Sequence, residues 1–251
     1  MAMDTSNTES NTPITTTDLE FARYDLPITA VLRESWEKTS GLKGSFWAAA
    51  AILVLGMLAF GALLGGSGVL LASGGGVSGG IISSLMLQVV IMAIMYPFMA
   101  GIIMLGIHRS VELPLSYTSV FGYFAYTLPL LGVAVLMSIL ITLGFLLLII
   151  PGIYLSLAYM FAVPLVVEKN LGVWEAMETS RKAVTTHWFK LFFLFLLMGL
   201  ILLISALPLG IGLIWTYPMM LAMIGVMYRE IFGVEVEESF VEESLAEGPL
   251  V

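Results

Sequence analysis

Residues 124–167 read FAYTLPLLGVAVLMSILITLGFLLLIIPGIYLSLAYMFAVPLVV, 44 positions without Asp, Glu, Lys, Arg or His. A helix that crosses a bilayer takes about 20 apolar residues. The stretch is therefore too long for one crossing and long enough for two. Pro151-Gly152, near its middle, is a turn signal. The stretch divides there into spans 124–149 and 151–167, a tight helical hairpin. A helix running straight through would overshoot the bilayer badly.

The same reading extends outward. Residues 188–228 form a second long apolar run, divided at Pro208-Leu209-Gly210-Ile211-Gly212 into spans 188–206 and 209–228. Upstream lie two more, 46–66 and 81–106, separated by a Gly/Ser-rich segment read as an outer loop over 67–80. Apart from Lys190 at the edge of the fifth, the six spans carry no Asp, Glu, Lys, Arg or His. The expected fold is all-α: a polytopic membrane bundle of six transmembrane helices arranged as three hairpins.

Composition agrees. The chain is 59% apolar and 11% charged with mean hydropathy +1.00. Soluble domains are about 45–50% apolar and about 25% charged. A water-soluble globular enzyme is excluded on those numbers. With no cysteine, disulfides, thiolate-ligated metals and a cysteine nucleophile are excluded as well.

Orientation follows from the ten basic residues. Arg23, Arg33, Lys38 and Lys43 precede the first span; Arg109 follows the second; Lys169, Arg181, Lys182 and Lys190 surround the connection of the fourth and fifth; Arg229 closes the sixth. With six spans all ten fall on one side, and basic residues near spans stay cytoplasmic. Both termini are then expected inside. Phe46, Trp47, Trp188, Phe189 and Tyr228 sit at the inner span ends, where aromatic residues favour the headgroup level.

The net charge of −8 divides unevenly: −4 over 1–26, +3 over 27–229 and −7 over 230–251. The two ends read as acidic cytoplasmic tails, the first disordered. No positive n-region precedes an apolar core at the start, so no signal peptide is expected. Within 27–229, apolar residues recur at helical spacing twice. Ile28, Val31, Leu32, Ser35 and Trp36 do so after Pro27; Val173, Met177, Val184 and Trp188 do so later. These predict interfacial helices near 28–38 and 172–188, the alternative being that they extend the neighbouring spans.

Chemistry is sparse. Gln88 is the most polar side chain at depth, and is read as an interhelical hydrogen-bond donor. Gly65-Gly66-Ser67-Gly68 and Gly76-Val77-Ser78-Gly79 match the G-x-S-G string of rhomboid proteases, but His108 and His187, the only histidines, lie on the opposite side of the bilayer. No ligand spacing for a metal occurs, and no cofactor is expected. Arg181, Lys182 and Lys190 are candidates for contacts with anionic headgroups at the cytoplasmic face. Pro97, Pro164 and Pro218 place a kink in each even span. Tyr96-Pro97-Phe98-Met99, ending at Arg109, is echoed by Tyr217-Pro218-Met219-Met220, ending at Arg229.

Around the fourth span the motif residues Pro151, Gly152, Pro164, Gly172, Ala176 and Ser180 occur in the order Pro151-Gly152-Ile153, Pro164-Leu165-Val166-Val167-Glu168-Lys169, Gly172, Glu175-Ala176, Ser180. This pattern resembles the YciC-like bacterial inner-membrane proteins and the related membrane domains found beside some glycerophosphodiester phosphodiesterases. The resemblance implies an integral inner-membrane protein of uncharacterised role and supplies no catalytic residues. The long acidic tails depart from it. The sequence thus points to a non-catalytic scaffold or accessory of membrane or envelope processes. A small-solute transporter or lipid-handling protein is the second reading. Expected partners are the bilayer and a membrane protein or a second copy of the chain, and not nucleic acid.

Overall fold

The computed structural model describes residues 26–74 and 76–234, and their side chains outside 59–85. The acidic tails, but for Leu26 and residues 230–234, and the side chains of both G-x-S-G strings lie outside this description. Among the described residues every regular element is helical: α1 (Ile28–Gly74), α2 (Gly76–Ser110), a 3-10 helix (Tyr117–Tyr126), α3 (Thr127–Leu147), α4 (Ile149–Ala158), α5 (Ala162–Glu168), α6 (Val173–Thr186), α7 (Trp188–Ala206) and α8 (Leu213–Phe232).

Five helical stretches are long and apolar enough to cross a membrane: Ile28–Leu58, Met86–Ser110, Tyr117–Leu147, Ile149–Glu168 and Trp188–Ala206. The sixth expected span coincides with α8, which falls short of that apolarity. Trp215, Thr216, Tyr217 and Pro218 occupy its first turns and Arg229-Glu230 its last. It is nonetheless well enclosed, and 12 of its 20 residues are buried. A helix surrounded by helices meets little lipid and does not need an apolar circumference.

Three local expectations are corrected. Residues 28–38 form no helix of their own; they are the opening turns of α1, which runs 47 residues without a break. Polar residues enter its buried face by bonding their own backbone. Ser35 Oγ donates to the Val31 carbonyl and Thr39 Oγ1 to the Ser35 carbonyl, both at 2.6 Å, so neither hydroxyl is buried unsatisfied. Trp36, assigned to the apolar stripe, is exposed, and the buried line runs instead through Val31, Ser35, Leu42, Phe46 and Ala49. The Gly/Ser segment 67–80 is helical up to Gly74 and again from Gly76. In apolar surroundings an open backbone costs more than helical glycine does, which favours keeping the hydrogen-bond ladder. Finally, Pro151-Gly152 is not the turn of the α3–α4 hairpin. The chain reverses at Leu148, which is extended at φ −162° and ψ 154°. Pro151 falls in the first turn of α4, where its missing N–H is not needed. Gly152 is required because a Cβ there would strike the Phe145 ring, and one on Gly144 would come within 3.1 Å of the Gly152 Cα.

α8 buries itself against α1 and α2 far more than against its chain neighbour α7. It runs antiparallel to α1: Trp47 Nε1 donates to the Ile214 carbonyl at 3.1 Å, while Glu34 meets Arg229 at the other end. Trp47, and Lys43 over the Trp215 ring, thus lie toward the opposite end of α8 from Arg229, and not beside it at the inner end as expected. The crossing of α2 and α8 is closed backbone to backbone. A Cβ on Gly106 would collide with the Leu221 carbonyl, and one on Gly225 with the Gly106 carbonyl. Small residues permit such approach between helices in lipid.

Candidate functional site

About half of the charged residues of the described chain gather where α2 and α8 end. Arg229, in the last turn of α8, is the centre of the first cluster. Its Nη1 donates to Glu34 Oε1 and to the Ser110 carbonyl, both at 2.7 Å. Its Nη2 donates to Glu34 Oε2 at 3.1 Å and Glu230 Oε1 at 2.7 Å. The fork thus binds one carboxylate bidentately and also caps an orphan carbonyl at the end of α2. The Glu34 and Glu230 carboxylates raise the Arg229 guanidinium pKa above its ordinary value.

Arg109, in the last turn of α2, turns toward α1. Its Nε donates to the Lys38 carbonyl at 3.1 Å, and its guanidinium lies so close over Gly41 that a Cβ there would come within 2.5 Å of Cζ. Glu112 follows in the left-handed conformation, φ 62°, where glycine is the usual residue. The helix end closes with Leu113 N on the His108 carbonyl at 3.0 Å and Glu112 N on the Arg109 carbonyl at 3.3 Å. The Glu112 side chain is held by Lys38, Nζ to Oε1 2.7 Å, and the ammonium keeps its carboxyl below the usual range. Between these groups opens a cleft of about 420 Å³ lined by Ala30, Arg33, Glu34, Glu37, Lys38, Arg109 and Glu112.

A second cluster joins α2, α5 and α8. Tyr228 OH donates to Glu168 Oε2 at 2.6 Å, and Lys169 Nζ lies 3.7 Å from the same oxygen. The Glu168 side chain is only 6% exposed, and His108 is within its electrostatic reach. The Gly106–Gly225 contact, two and three residues away along the two helices, brings His108 and Tyr228 to this level.

The three residues expected to contact headgroups lie on α6 and α7. Arg181 is committed to Glu178, Nε to Oε2 2.8 Å and Nη2 to Oε1 2.7 Å, with Lys182 at 3.9 Å from the same carboxylate. That pairing raises the Arg181 pKa and lowers that of Glu178. Lys190 sits on α7, a separate helix. The proline and small-residue motif has a packing role. Pro97 and Pro218 are inside α2 and α8, and Pro164 is buried in α5. Gly172 precedes α6, with Ala176 and Ser180 following on one buried face. Ser180 Oγ donates to the Ala158 carbonyl at 2.7 Å and accepts from Phe161 N at 3.2 Å. It therefore plugs the break between α4 and α5. The tie of Glu34 to Arg229 and that of Tyr228 to Glu168 were missed in the sequence. The one signal near them was the pair of arginines ending the two Tyr-Pro helices. The structure uses those arginines differently, one on a carboxylate and one on a backbone carbonyl. Among the described residues no group of three or more His, Cys, Asp or Glu could hold a metal ion. No protein family, curated protein or solved structure matches the chain.

Proposed function

We propose that the chain is a six-span inner-membrane protein of bacterial, YciC-like type, with both ends of its membrane domain in the cytoplasm, acting as a non-catalytic scaffold or accessory of membrane or envelope processes. One observation carries this reading: α2 and α8 meet backbone to backbone at Gly106 and Gly225, about one turn from the rim arginines Arg109 and Arg229, which closes the bundle at that level to a solute path. A transporter needs a bistable opening at such a place. Two further features support it. α8, at 20 residues, is about 30 Å long and matches the hydrocarbon core, which supplies the sixth crossing. The rim charges are engaged with one another at Glu34–Arg229, Lys38–Glu112 and Glu178–Arg181.

The natural absence of cysteine makes the test direct. Leu209→Cys, at a turn residue 97% exposed, reacts with an impermeant maleimide on intact cells, and Ser116→Cys reacts only after lysis; the reverse pattern sinks the orientation. Met223→Cys, beside this contact, stays unlabelled under every condition, and labelling from water would favour transport instead. Crosslinking in cells should capture a defined membrane-protein neighbour of the full chain, and capture of none would refute the scaffold.

A further inference from the structure

The cleft between α1 and the end of α2 has a charge pattern that selects a ligand class. Its lining holds three cations, Arg33, Lys38 and Arg109, and three carboxylates, Glu34, Glu37 and Glu112. A purely anionic ligand would meet as much repulsion as attraction there. Internal pairing removes part of this set. Glu34 gives both oxygens to Arg229, and Lys38 is bound to Glu112 Oε1. What is left is specific. Arg109 makes one hydrogen bond, from Nε, so among the described residues its terminal nitrogens donate to no group. Glu37 has a loose, exposed pair with Arg33 at 3.9 Å. Glu112 uses one oxygen, and its side chain is 76% exposed. A guanidinium fork is the natural partner of a phosphodiester, and two carboxylates suit a primary ammonium with three N–H donors. The cleft lies at the end of membrane-length helices, where lipid headgroups sit.

We propose that this cleft receives the headgroup of a zwitterionic aminophospholipid, its phosphate on Arg109 and its ammonium between Glu37 and Glu112. A quaternary choline has no N–H to give the carboxylates, and a glycerol headgroup has no cation, so both are discriminated against. The site requires only that the helices be membrane-embedded; it does not rest on the scaffold reading, whose crosslinking test is separate.

The full chain is reconstituted with equal amounts of phosphatidylethanolamine, phosphatidylcholine and phosphatidylglycerol, and the lipids that stay bound are read by native mass spectrometry. The ethanolamine lipid is expected to be retained about tenfold over the other two, roughly the worth of one charge-assisted hydrogen bond. Glu37→Gln, a change at an exposed side chain, should bring it to parity with the choline lipid. Arg109→Gln should lower retention of both; a thermal melt of that variant identifies loss of fold, in which case Glu37→Gln alone decides. Equal retention of the three lipids by the native chain, preference for the glycerol lipid, or an unchanged preference in Glu37→Gln overturns the site. Soluble glycerophosphoethanolamine should fail to displace the lipid at millimolar concentration; displacement would move the ligand from bilayer to solution and overturn the lipid assignment.

Discussion

Gly225→Ala adds one methyl group where α8 meets α2. The added carbon falls on the carbonyl group of Gly106 and 2.8 Å from the Ile107 nitrogen. All three atoms are backbone, so no side chain can rotate away. Unstrained contacts settle near 3.5–4 Å, and a radial gap of about 0.5–1 Å already forfeits a quarter to a half of a dispersion well. The helices must therefore part by on the order of 1 Å, and their neighbouring contacts weaken together. Overpacking of this kind costs about 1–3 kcal/mol, against a helix-propensity gain for alanine of about 1 kcal/mol. The expected net loss is therefore roughly 0–2 kcal/mol against the native chain, and about 1–3 kcal/mol against an alanine that gains propensity without overpacking. Gly199 in α7 and Gly44 in α1 are controls, because a Cβ on either meets nothing within 4 Å. Alanine there should be neutral or stabilising. Unfolding in mixed micelles titrated with a denaturing detergent, read by helical circular dichroism, orders the three variants. If Gly225→Ala proves as stable as Gly199→Ala, the backbone seam does not exist and the closure it provides falls with it.

Ser180→Ala leaves the Ala158 carbonyl and the Phe161 N–H without the hydroxyl that joins them; the loss should be about 1–3 kcal/mol in the same titration, and a neutral result would mean the α4–α5 break is held by other contacts. Acid should also loosen the rim. Glu112 and Glu178 have carboxyl pKa values lowered by Lys38 and Arg181 respectively. Their contribution is thus complete above the ordinary carboxyl value of 4.5 and fades as pH falls through the lower folded values. Stability measured downward from neutral pH should hold until that range and then drop. The double variant Glu112→Gln, Glu178→Gln should show a flatter acid limb, and an identical limb would rule these two pairs out as its source.

Hydropathy located the membrane helices because their inner borders coincide with charges and their outer borders with Gly/Pro-rich breaks, signals carried by each segment alone. It misjudged α1 because the two halves of that helix meet different surroundings. The first half carries Arg33, Glu34, Glu37 and Lys38 and looks like a surface helix, yet packs against α8. Pro151-Gly152 marked the correct hairpin but not its turn; proline is compatible with a first helical turn as well as with the loop before it. The site was harder. Arg181 and Glu178 are three residues apart and their pairing could have been read from helical spacing. Glu34 and Arg229 are 195 residues apart, and Tyr228 and Glu168 are 60 apart. Only the packing of α8 among α1, α2 and α5 brings such groups together, and no local pattern encodes that packing.

The separation between Glu34 and Arg229 also sets a timetable for biogenesis. At synthesis rates of about 5–20 residues per second, the 195 intervening residues keep the ribosome occupied for roughly 10–40 s. From the completion of α2 at Ser110 until Arg229 is made, roughly 6–24 s at the same rates, the glycine face at Gly106 is uncovered and the Glu34 carboxylate still lacks its arginine. α8 is the keystone, delivered last and inserted between the two earliest helices. A chain cut short before Leu213 would leave the translocation machinery with a hairpin that has a ready-made slot and nothing to fill it, a clear mark for membrane quality control.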